Sequence, residues 1–228
     1  QPNLVPWQYL FTRGITIFCI LNVYLFFEEG MKFYKNYFKI GFSGIIGGFG
    51  LGIAMITFIW SITNTSAAIT LLCLAAMPFI TALLGFLFLK EKISLNVWLA
   101  IIIAAIGIVI MALGNTTKGS LLGLSFGIAS AFGFSIFSVS LRWRKETPKF
   151  TTVAIAGLFC AVVSTIMLIN NNSNFLSSSY NEGLFAIHGT IVCLGLILYS
   201  IGSKVIPAAE LTLLSLTEVI GGIFWVWI

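Results

Sequence analysis

The sequence predicts an all-α polytopic membrane protein with eight transmembrane helices in view. Of its 228 residues, 59% are hydrophobic and 8% charged, and the mean hydropathy is +1.06. That leaves too little polar surface for a soluble globule of this length. A hydrocarbon core about 30 Å thick takes about 20 apolar residues of helix to cross. Runs of that kind lie near 9–27, 41–62, 66–89, 95–113, 121–141, 152–169, 184–203 and 207–228. Open strands leave peptide groups unpaired in lipid, and the runs lack the alternation of a barrel strand, so helices are expected throughout.

Each run carries its own marks. Arg13 sits about one turn inside the first, near its outer end, where a long side chain reaches the interface by snorkelling. In the second, Gly44, Gly48 and Gly52 recur every four residues, as Gly123, Gly127 and Ala131 do in the fifth. Such spacing lets helix backbones approach closely, and it predicts tight packing inside each half of the chain. The connections are short, which predicts that consecutive helices are antiparallel neighbours. The longest polar loop, "NNNSNFLSSSYNEG", reads as an exposed linker. His188, near the outer end of the seventh run, has no visible partner and reads as an interface residue. Cys19, Cys73, Cys160 and Cys193 fall inside apolar runs without C-x-x-C spacing, so they read as small buried hydrophobes, and no metal site is expected.

Charge orients the bundle. Lys32, Lys35, Lys39, Lys90, Lys92, Arg142, Arg144, Lys145, Lys149 and Lys204 fall in alternate loops on one side, with Lys118 alone on the other. The basic side is therefore predicted to be cytoplasmic, in a plasma or inner membrane. These clusters account for the net charge of +5, and nucleic-acid binding drops out. The start "QPNLVPWQ" has no basic n-region and does not read as a signal peptide.

Two stretches match internally. "SAAITLLCLAAMPF" from Ser66 and "PAAELTLLSLTEVI" from Pro207 share Ala-Ala followed by Leu-Leu-x-Leu, offset by one residue. The first starts on the predicted outer side and the second on the cytoplasmic side, the arrangement of an inverted-topology repeat. The run from Asn64 to Leu113 then resembles the signature region of the EamA family of drug/metabolite transporters. The residues that carry this are Ala67 and Ala68, Pro78, Phe86 to Leu89, Glu91 with Lys92, Ile93 with Ser94, and Gly107. "IPAAELTLLSLTEVIGGIFWVWI" is similar to the matching region of a second repeat, and "TRG" at Thr12 to Gly14 to a frequent arginine of the family's second helix. The resemblance implies ten helices as two inverted five-helix repeats. Residues 1–114 would then be the first repeat without its first helix, and 120–228 the second without its last.

Glu218 is the leading candidate residue. It lies about twelve residues into the last run, so at ~1.5 Å per residue it is about 18 Å deep, near the midplane. A carboxylate there must be protonated, paired or facing a wet cavity, and it reads either as a substrate- or proton-binding group or as a structural hydrogen-bonding one. In the matching run its place is taken by Ala76, so the carboxylate breaks the symmetry of the two copies. Trp60, Tyr199, Thr70 and Ser215 join it as candidates. Trp60 and Tyr199 end their spans at corresponding places, which an interfacial aromatic belt explains and a cavity wall would sharpen. Arg13, Glu210 and Ser135 are secondary. Glu210 stands in a first helical turn, with Pro207 suited to position N1, which favours a helix-start role. Ser and Thr in such helices mostly bond back to their own backbone.

These features predict a secondary transporter of small metabolites, amino acids or related compounds among them, working by alternating access with proton coupling or exchange. No P-loop is present to bind ATP, and no cofactor is expected. An enzyme would need a nucleophile with its base or clustered ligands, and the chain has one His and no Asp. A non-transporting membrane scaffold is the alternative. The expected partners are a small-molecule substrate and the lipid bilayer, with a homodimer left open.

Overall fold

The computed structural model describes residues 5–90, 95, 98, 99, 102, 103, 106, 118–144, 148–215, 217 and 221. Among these residues there is helix and no strand. Helix α1 spans Val5–Glu29 and is followed by a 3-10 turn, Gly30–Tyr34, and a short α2, Lys35–Lys39. Then come α3 (Gly41–Asn64), α4 (Ala67–Leu74), α5 (Met77–Leu84) and a π-helical turn, Gly85–Leu89. Beyond them lie α6 (Lys118–Trp143), α7 (Lys149–Asn170), α8 (Ser179–Gly202) and α9 (Ala208–Leu214).

Six stretches among the described residues are long and apolar enough to cross a membrane: Val5–Lys39, Gly41–Asn64, Ala67–Leu89, Leu121–Trp143, Lys149–Asn170 and Ser179–Gly202. They coincide with the first, second, third, fifth, sixth and seventh runs read from the sequence. Most of the fourth run, and of the eighth beyond Ser215, lies outside the described residues.

Local chemistry explains the boundaries. Gly30 and Gly41 adopt φ of 61° and 62°, a left-handed backbone that glycine enters without steric cost, and between them the chain turns from α1 into α3. The Ser66 hydroxyl caps α4 by accepting the Ile69 amide at 3.2 Å, and Ser178 caps α8 in the same way from Asn181 at 3.4 Å. The third span is broken. Pro78, in the first turn of α5, has no amide to give the carbonyl a turn before it, and the helix parts at Ala75–Ala76. Glu210 is in the first turn of α9, exposed, as expected. Pro207 is the N-cap residue, one place before the N1 position predicted for it, so its fixed φ sets the approach to the helix instead of its first turn.

The packing departs from the chain order. α3 lies along α6 and α7, α1 along α7 and α8, and α5 against α6 and α9, whereas α1 touches α3 little and α7 touches α8 little. Consecutive helices are therefore not the principal neighbours that short connections predict. The physical reason lies in the glycines. A Cβ on Gly14 would come within 2.6 Å of the Gly157 carbonyl oxygen, and one on Gly157 within 2.8 Å of the Gly14 oxygen. Gly50 and Gly133 face each other in the same way, at 2.9 and 2.6 Å. Gly48 and Gly52 meet Ile155 and Phe159 of α7, and Gly123 and Gly127 meet Thr65 and Cys73. In lipid, helices associate where backbones can approach, so these pairs choose the neighbours. The small residues thus join residues before the 114–120 connection to residues after it, and do not pack each half internally as expected.

The core between these helices is formed by Leu10, Ile17, Leu51, Met55, Phe137 and Val153 with their neighbours. Phe27, Phe38 and Leu198 stand on the outside, in keeping with a hydrocarbon surround. Cys73, Cys160 and Cys193 are buried as read, but Cys19 is exposed on α1. The loop between α7 and α8 is docked and not free: Gln8 Nε2 donates to the Asn174 carbonyl at 2.9 Å, and the rings of Phe11 and Phe175 lie 5.6 Å apart. On the opposite side the Arg142 guanidinium donates to the Ile206 carbonyl at 2.8 Å, and buried Lys149 donates to Ser203 Oγ at 3.0 Å. Arg142 and Lys149 thereby hold the connection from α8 to α9.

Candidate functional site

The most unusual side chain in the bundle is Arg13. It lies on the buried stripe of α1, between Leu10 and Ile17, and is only 4% exposed. Snorkelling to the interface is therefore not what it does. The stripe turns it inward, and acceptors inside the protein meet it there: Nη1 donates to the Tyr9 hydroxyl at 3.1 Å and Nη2 to the Met55 carbonyl of α3 at 3.2 Å. The guanidinium carbon also sits 5.2 Å from the Tyr9 ring centroid, within cation–π range. Tyr9 in turn bonds His188 Nδ1 at 2.7 Å, so His188 keeps an exposed position but has the partner that the sequence did not reveal. Gly189 lets α8 approach: a Cβ there would be 3.3 Å from the Arg13 Cα. Among the described residues no carboxylate pairs with Arg13, and its Nε is buried without a hydrogen-bond partner. A cation held that way inside a membrane protein is costly unless something answers it.

Further polar groupings lie inside the bundle. Ser61 Oγ of α3 bonds Thr70 Oγ1 of α4 at 2.8 Å and donates to the Gly123 carbonyl of α6 at 2.7 Å. Ser135 of α6 donates to the Met77 carbonyl at 3.1 Å, beside the break in the third span. Ser138 Oγ and the Tyr199 hydroxyl are 2.7 Å apart, and the Tyr199 ring lies 5.1 Å from Phe134 and 5.9 Å from Phe137. Trp60 packs at 5.2 Å on Trp7, and its indole Nε1 is buried with no partner among the described residues. Trp60 and Tyr199 both rest on the main core cluster, so a belt at the lipid interface does not describe them. The reason is the crosswise packing, which turns the ends of α3 and α8 toward α1 and α6.

Residues 2–113 match the EamA-like transporter family. Over those residues, just under half of its length, the chain is similar to that family. Two curated relatives, from Helicobacter pylori strains J99 and 26695, are each named an uncharacterized transporter. Each is 28% identical over 144 residues, which cover 62% of this chain and 47% of the relative. The chain thus spans about half the length of the curated relatives it matches. No solved structure gives a significant match.

Within the bundle the candidates read from the sequence fall into separate places. Arg13, Thr70, Ser135 and Tyr199 are engaged in contacts between helices. Ser215, by contrast, bonds back to the Thr212 carbonyl at 2.7 Å, and Thr212 to its own helix. Glu210 is exposed at a helix start, and Glu218 lies outside the described residues. Ser130 donates across to the Ala54 carbonyl at 2.9 Å. The expectation that hydroxyls bond locally holds for Thr57, Thr165 and Thr190 but not for Ser61, Ser130 or Ser138. Sequence reading missed Tyr9 and Ser61. Tyr9 was within reach, since it precedes Arg13 by four residues and so shares its helix face. Nothing local to Ser61 signals that Thr70 lies opposite. The groove between α3 and α6, lined by Gly50, Ile53, Ser125, Ile128, Phe132 and Ile136, is open and mostly apolar, with Ser125 as the polar side chain on its wall.

Proposed function

We propose that this protein is a secondary transporter that moves small metabolites across a membrane by alternating access. The observation that carries the reading is the match of residues 2–113 to the EamA-like transporter family. The interior adds support: Arg13, Tyr9 and His188 link α1 to α8, while polar side chains meet the broken third span. Irregular backbone at membrane depth suits a site that must bind and release a solute. In the same reading residues 1–114 and 120–228 are two inverted repeats within an eight-helix stretch, and the basic loops face the cytoplasm. The packing of Ala208, at the start of α9, beside Leu84, at the end of α5, is in keeping with opposite directions for the two matching runs. Amino acids or related compounds are candidate substrates, and Glu218 is the candidate proton carrier, with exchange as the other form of coupling. The reading needs no catalytic group and places this protein with carriers, not enzymes.

The test is flux into proteoliposomes holding the full-length protein, wild type beside Glu218→Gln, over a range of pH. Loss of the pH dependence in a folded variant is expected. Unchanged flux at every pH removes Glu218 from the coupling, and absence of flux for every member of a broad metabolite panel counts against transport and for a scaffold.

A further inference from the structure

We infer that Arg13 is an anion-binding residue and that the ligand it awaits is a small metabolite bearing a carboxylate. The inference rests on the transporter reading, because the closed site has to open to one side for a solute to enter. A guanidinium has five N–H donors in a planar fork. Among the described residues two of the five are taken, by the Tyr9 hydroxyl and the Met55 carbonyl, and Nε is buried without a partner. The two bonds hold the fork in place between α1, α3 and α8 while leaving donors to spare. Both partners that hold it are neutral acceptors, and no carboxylate among the described residues offsets the charge. Thr12 Oγ1 donates to Glu182 Oε2 at 2.6 Å, and the other oxygen of Glu182 accepts the Ser177 amide at 2.6 Å. That carboxylate is spent on holding the outer loop.

A buried cation with spare donors and no counter-charge among the described residues calls for an anion, and a planar fork suits the two oxygens of a carboxylate better than a single oxygen. A neutral ligand would leave the charge unanswered. Trp60, whose buried indole N–H has no partner among the described residues, stands five residues beyond Met55 on α3 and offers a further neutral donor on the same helix.

The experiment measures thermal unfolding of the full-length protein in detergent with acetate, glycolate and benzoate, each beside its primary amide, and with inorganic phosphate. The expected result is a concentration-dependent rise in melting temperature with at least one carboxylate and none with its amide. Arg13→Gln should weaken that binding tenfold or more, and Arg13→Lys, which keeps the charge and loses the fork, by a smaller factor. Amides that bind as well as carboxylates, phosphate that binds as well as either, or carboxylate binding untouched by Arg13→Gln would each overturn the assignment. If Arg13→Gln does not fold, the carboxylate and amide comparison on wild type, with Arg13→Lys beside it, still decides. Flux assays separate this from the transporter reading. Arg13-dependent binding without flux removes transport and leaves the anion site, whereas flux of neutral solutes that Arg13→Gln leaves unchanged does the reverse.

Discussion

Tyr199 shows how one hydroxyl can matter in an otherwise apolar helix. It reaches from α8 to Ser138 on α6 at 2.7 Å, and Ser138 is almost wholly buried. Between membrane helices such bonds average about 0.6 kcal/mol, with a maximum of about 1.7. Tyr199→Phe is therefore expected to lower the unfolding free energy by roughly that amount. Tyr199→Phe combined with Ser138→Ala should cost less than the sum of the two single changes, as a double-mutant cycle by denaturant unfolding would show; strict additivity would mean that the two groups do not interact. Little of this was legible beforehand. Tyr199 stood out as an aromatic near a span end, and Ser138 as one hydroxyl among many. Their meeting depends on how α6 and α8 are turned. Arg13 repeats the lesson: residue type and depth mark it as costly, but only the positions of Tyr9 and Met55 show that it points inward.

Helix identity follows from composition, whereas helix pairing follows from a few glycines. α1 and α7 touch backbone to backbone at Gly14 and Gly157, so a larger residue there has nowhere to go. Gly157→Leu should destabilise the protein by about 1–3 kcal/mol, the usual cost of overpacking. Gly195, by contrast, sits in the middle of α8 with no atom within 4 Å of the place a Cβ would take. Gly195→Ala should raise stability by up to about 1 kcal/mol through helix propensity alone. Thermal unfolding of the two variants in one detergent is the check, and equal effects would show that the α1–α7 contact is not a tight one. The four-residue spacing of Gly44, Gly48 and Gly52 was visible as a packing signal. Its partner was not, because spacing defines a face and says nothing of which helix covers it.

At the scale of the whole molecule, the main interfaces, α1 with α7 and α3 with α6, join residues before the 114–120 connection to residues after it. Two fragments of the full-length protein divided in "GNTTKGS" should therefore co-purify when expressed together and be poorly recovered when expressed apart. Recovery of each fragment alone as a folded species would mean that each half carries its own core. This interleaving also brings polar groups from before and after the connection together, as at Tyr9 with His188 and Ser61 with the Gly123 carbonyl. Arg13 on α1 contacts α3 and lies against α8, and Ser135 on α6 contacts the break between α4 and α5.

The order and kind of the residues were enough to show that the chain is helical and lies in a membrane, where six of its spans run, and which family it resembles. Composition and run length decide these, since lipid admits few ways of pairing a backbone. Tertiary structure alone decided which helices are neighbours, that Arg13 faces inward with donors to spare, and that Trp60 and Tyr199 serve the interior. Each of these depends on the rotation of a helix about its axis. In a bundle apolar on every side, hydrophobic periodicity cannot set that rotation, and the close approach of glycine backbones does.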